Sequence, residues 1–103
     1  MKLKAGVIIK GIQPELVLGL MIADSIYQKY GHELTVTSVM DSKHGANSLH
    51  YKGLAADLRI TNVIESKHYP NGLEGLVREL ETSLVGFDVV LEKDHIHIEY
   101  DPR

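Results

Sequence analysis

The chain has 103 residues, 44% of them hydrophobic and 24% charged, with a formal net charge of −3 and no cysteine. That length suits one domain around one core, so residues 1–103 are read as a single unit. The acidic balance provides no basic face for nucleic acid, and the lack of thiols excludes disulfides, thiolate metal sites and a cysteine nucleophile.

The first ten residues are basic, but their apolar run is only Val7-Ile8-Ile9. That is too short for a signal-peptide core, and no stretch approaches the roughly 20 apolar residues of a membrane span. The expectation is a chain that is cytoplasmic as synthesised and does not insert into a membrane. Val7-Ile8-Ile9 is read as a short strand or an extended arm.

Pro14 then reads as a first-turn proline, with Glu15 near the positive end of a helix dipole. Leu16, Leu20, Ala23, Tyr27 and Tyr30 recur at helical spacing, with Val17, Met21 and Ile26 widening the apolar stripe, and Gly31 is a stop. All of these apolar residues are expected in the core. Leu34-Thr35-Val36-Thr37-Ser38-Val39 alternates and is β-branched, which predicts a strand. Met40 to Leu49 has no apolar periodicity and reads as a long loop of the kind that carries function.

Leu54 to Ile60 returns to a strand, and Thr61 to Gly72 is a polar connection closed by Pro70-Asn71-Gly72. Leu73, Leu76, Val77, Leu80 and Leu84 mark a second helix, which Gly86 can close. Phe87 to Leu91 and Ile96 to Tyr100 read as two strands joined by a turn over Glu92-Lys93-Asp94. This order predicts a small α+β domain, a mainly antiparallel sheet flanked by two helices.

Two clusters carry chemistry. Asp57 lies inside an apolar strand, between Ala56 and Leu58, where a carboxylate is costly unless paired or bound to a metal. Arg59, two residues on, shares its strand face and offers a salt bridge as the plain explanation. His50 precedes Asp57 in the loop, where a histidine is ordinarily solvated or capping. His95 and His97 share a face that Glu99 continues, while Ile96 and Ile98 point the other way. That face is either the wet side of an edge strand or part of a metal site. Asp94 can join the histidines only if it belongs to the turn, because strict alternation would place it with Ile96. Without thiols, a metal here would be held by imidazole and carboxylate, which suits a catalytic zinc with one open position.

Ser48, His50, Gly53, Ala55 and Asp57 match the pattern S-x-H-x-x-G-x-A-x-D, and Asp94, His95 and His97 place an acid three before a histidine and a further histidine two before it. In these residues the chain resembles the peptidoglycan zinc metallopeptidases. These include D-alanyl-D-alanine carboxypeptidases, D-Ala-D-Ala dipeptidases and phage L-alanyl-D-glutamate endolysins, and they share a fold with the Hedgehog signalling domain. The likeness runs from about Leu34 to Tyr100.

The resemblance implies a Hedgehog/DD-peptidase-like fold and one zinc ion held by His50, Asp57 and His97. It gives Asp94 the role of general base and His95 that of stabilising the oxyanion. Ser48 would steady a ligand or the loop, Gly53 would allow a close turn, and Ala55 would clear space beside the metal. It implies hydrolysis of a peptide bond in peptidoglycan stem peptides by a small phage or prophage enzyme, released to the wall at host lysis or through a holin. The family's arginine after the strand ending at Thr37-Ser38 has no counterpart in Val39-Met40-Asp41; Lys43, Lys52 and Arg59 are the candidates to replace it. The alternative implied by the Hedgehog relatives is a non-catalytic, zinc-stabilised module that binds cell-wall peptide.

Overall fold

In the computed structural model, which describes residues 1–40, 52–64 and 72–102, the chain forms an α+β domain with three helices over one mixed sheet. In chain order the elements are β1 (Lys2–Leu3), α1 (Pro14–Lys29), β2 (Thr35–Ser38), β3 (Ala55–Arg59), α2 (Thr61–Ile64), α3 (Gly72–Ser83), β4 (Phe87–Leu91) and β5 (His95–Tyr100). The strand order is β1-β2-β3-β5-β4. Three pairings are antiparallel, and β1 runs parallel to β2.

Pro14 opens α1 where its missing N–H costs nothing, with Glu15 in the first turn and Lys29 in the last. Gly31 follows at φ +78°, a left-handed conformation natural to glycine after a helix. Leu16, Leu20, Ala23, Ile26 and Tyr27 are buried. The buried stripe is narrower than the sequence suggests, because Val17 and Met21 face outward at 39% and 57% exposure. Leu76 and Leu80 of α3, with Leu84 just beyond it, complete the helical side of the core. The sheet meets them with Val36, Ala56, Leu58, Ile96 and Ile98, which alternate out of β2, β3 and β5.

Two further expectations are corrected. The N-terminal strand is Lys2–Leu3 rather than Val7-Ile8-Ile9; Lys2 N–H donates to the Leu34 carbonyl and Lys4 N–H to that of Val36. Val7 packs on the core while Ile8 and Ile9 are exposed, and residues 7–9 belong to no strand, which leaves the arm rather than the strand of the two readings. Among the described residues the helices number three rather than two, because Thr61–Ile64 forms a single turn in which Val63 and Ile64 donate to the Ile60 carbonyl and Val63 is buried. One helical turn is too short to show a 3.6-residue period. Among the described residues no helix is long and apolar enough to cross a membrane.

The helices bury one face of the sheet, leaving the other to the polar residues of β3 and β5. That face holds the candidate site. β5 lies between β3 and β4, so its histidines are not the wet side of an edge strand.

Candidate metal centre

Cross-strand register builds the site. In the antiparallel pairing of β3 with β5, Asp57 stands opposite His97, Arg59 opposite His95 and Ala55 opposite Glu99. Asp57 Oδ1 lies 2.9 Å from His97 Nδ1 and 3.7 Å from His95 Nε2. Across the strand pair Asp57 is thus faced by two imidazoles, while Arg59 stands opposite His95.

The pairing extends in both directions. His97 Nε2 lies 2.8 Å from Glu99 Oε1, and His95 Nδ1 lies 2.7 Å from Asp94 Oδ1. Asp94, His95, Asp57, His97 and Glu99 thus form a chain in which carboxylate and imidazole alternate. Asp94 sits in the turn between β4 and β5 rather than in β5, which removes it from strict alternation and lets it face His95. It is also the exposed end, with 77% of its side chain accessible against 18% for Asp57 and 20% for His97.

Geometry sets the charges. His97 presents ring nitrogens to two carboxylates, which the doubly protonated imidazolium satisfies best. The hydrogen bond to Asp57 raises its pKa above the ordinary 6.5; burial opposes this and Glu99 reinforces it. The hydrogen bond with His95 holds the Asp94 carboxyl below its ordinary 3.8, so Asp94 is an anion at neutral pH.

A polar cavity of about 310 Å³ opens beside the chain, lined by Lys4, Thr37, Ser38, Asp57, Arg59, Thr61, Asp94 and His95. An irregularity in the β2–β3 register between Val36 and Ser38 shapes its wall. There Ser38 stands opposite Asp57, and Thr37 Oγ1 donates to the Asp57 carbonyl at 3.3 Å. Such bulges re-aim side chains beside functional sites.

Of the residues singled out in the sequence, Asp57, Arg59, Asp94 and His95 converge on this cavity, and His97 holds Asp57 from behind. Lys52 lines a separate hollow with Gln13, Glu15 and Tyr100. His50, Ser48 and Lys43 lie outside the described residues. Gly53 has φ +71°, and a Cβ there would run into the Gly11 carbonyl oxygen, so only glycine fits. Lys4 and Thr61 give no signal in the sequence; the β1–β2 pairing and the turn of α2 bring them in. Among the described residues, the group of three whose ligating atoms all lie within 4.8 Å of one another is Asp88, Glu99 and Asp101, an acidic cluster beside Glu99 that could hold a metal ion.

Asp57 Oδ1 and His97 Nδ1 approach to 2.9 Å from neighbouring strands, a hydrogen-bond distance; carboxylate and imidazole are both donor types that zinc accepts. No family model matches the chain, and neither a curated protein nor a solved structure does.

Proposed function

We propose that the chain is a zinc-dependent peptidase that hydrolyses a peptide bond in peptidoglycan stem peptides, as an endopeptidase or a carboxypeptidase. The observation that carries this reading is the convergence of Asp57, His95 and Asp94 on one polar cavity, with His97 locked to Asp57 across the β3–β5 pair. His50, Asp57 and His97 would hold the ion. When bound, zinc supplies Lewis acidity, lowering the pKa of water and polarising a carbonyl oxygen.

The remaining chemistry falls to side chains. Asp94, exposed and kept ionised by His95, accepts a proton from the water that attacks the peptide carbonyl. A C–O bond forms, and the carbonyl π electrons move to oxygen. His95, held through Nδ1 by Asp94 and lining the cavity, is the side chain placed to donate a hydrogen bond to that developing oxyanion. The C–N bond then breaks as Asp94 returns its proton to the leaving amine. Arg59 lies opposite His95 and lines the same cavity, which favours it over Lys52 as the cation that orients substrate.

Mass spectrometry of purified peptidoglycan after incubation with the zinc-loaded chain tests the reading and identifies the bond. Stem peptides shortened at one defined bond, with no shortening by Asp94→Ala, are expected. Intact peptides from a chain that binds one zinc would instead make it the non-catalytic wall-binding module.

A further inference from the structure

His97 is gripped at both ring nitrogens. Nδ1 faces Asp57 across the strand pair at 2.9 Å, and Nε2 faces Glu99, two residues along β5, at 2.8 Å. A neutral imidazole carries one N–H, so only one nitrogen at a time can offer a lone pair to a cation. The side that accepts the N–H decides which.

We propose that Glu99 is a positioning residue for His97. By accepting the Nε2–H it fixes the tautomer whose Nδ1 lone pair points at Asp57, the side on which the ion is assigned. This inference rests on the zinc reading above. Glu99 touches neither the cavity nor the reacting atoms and acts only through the ring. A carboxylate in this place also increases electron density on the imidazole and strengthens it as a ligand.

The setting of Glu99 favours this contact over others. Across the sheet it stands opposite Asp88, and the Asp101 carboxylate lies within 4.8 Å, so a swing toward β4 meets like charge. Its side chain is 27% exposed and that of His97 20%, so both ends of this hydrogen bond are largely sheltered from solvent. The same contact diverts one oxygen of the Asp88, Glu99 and Asp101 cluster into holding His97.

The test uses the full chain with Glu99→Ala and Glu99→Gln. Zinc affinity is measured by competition with a chromophoric chelator, and the His97 ring tautomer by heteronuclear NMR of the zinc-loaded chain. Glu99→Ala is expected to weaken zinc about 10- to 100-fold. Glu99→Gln, whose amide oxygen still accepts the Nε2–H, recovers most of that loss, and the parental ring shows an Nε2–H proton. Unchanged affinity in Glu99→Ala, or an Nδ1–H tautomer in the parental chain, overturns the inference while leaving the zinc reading intact. A parental chain that takes up no zinc overturns both.

Discussion

Asp57 and His97 stand directly opposite each other on neighbouring strands, with Oδ1 and Nδ1 2.9 Å apart. Each is the other's partner in the absence of an ion, and both are assigned to the same ion when it is bound. Asp57→Ala therefore acts twice. Metal-free, it strips a mostly buried imidazole of its carboxylate and is expected to cost about 1–3 kcal/mol of stability. Zinc analysis should fall from about one equivalent to a small fraction of that. An Asp57→Ala chain that retains stoichiometric zinc would remove Asp57 from the ligand set.

Asp94 has the opposite profile. It is solvent-exposed and ionised, and it belongs to a turn rather than the core. Asp94→Ala is expected to keep zinc content and thermal midpoint near parental values while peptide cleavage disappears. Parental cleavage rates in that variant would end its assignment as the base.

The pH dependence of stability should change sign with metal. In the metal-free chain, His97 gains carboxylate partners on folding, so its folded pKa lies above its unfolded value near 6.5. The stabilisation is then complete below about pH 6.5 and is lost as pH rises through the folded pKa. With zinc, the ring must give up its Nδ1 proton, so apparent affinity falls with falling pH, on the order of tenfold per unit for one displaced proton. The depressed pKa of Asp94 adds stability that is lost only below its ordinary 3.8, outside this window. Thermal melts across pH 6 to 9, with chelator and with zinc, check both slopes (a range of about three units suffices). Parallel slopes would show that His97 does not exchange its proton for the ion.

Arg59→Gln tests Arg59 as the cation that orients substrate in the proposed peptidase. Removing one charge-assisted contact is expected to lower kcat/KM about tenfold or more, while zinc content stays constant. An unchanged kcat/KM would return that role to Lys43 or Lys52, or pass it to Lys4, the other cation at the cavity.

Gly53→Ala is a test of architecture. The left-handed backbone and the collision with the Gly11 carbonyl together are expected to cost about 2 kcal/mol or more. Denaturant unfolding measures it, and a loss below half that would mean the Gly11 segment yields.

Much of this arrangement is legible in the chain before any coordinates. Period-two alternation separates His95, His97 and Glu99 from Ile96 and Ile98, and the polar turn explains how Asp94 leaves that pattern. What alternation cannot supply is register: that Asp57 meets His97 rather than another residue of β5 depends on a pairing 40 positions apart in the chain. Nor can it find β1, because two residues have no period and Lys2–Leu3 is defined only by its hydrogen bonds to the Leu34–Val36 segment. The outward Val17 and Met21 show the same limit from the other side. A helix can carry more apolar residues than its sheet has room to cover.

Among the described strands, β3 and β5 are each hydrogen-bonded on both sides, and the free edges belong to β1 and β4. A peptide substrate of the proposed kind that reached Asp57 and His95 could not dock by lengthening the sheet beside them, because the backbone groups of β3 and β5 are already paired. It would have to cross the face of the strands and be gripped by side chains, so under that proposal its sequence preference follows the cavity wall formed by Lys4, Thr37, Arg59 and Thr61.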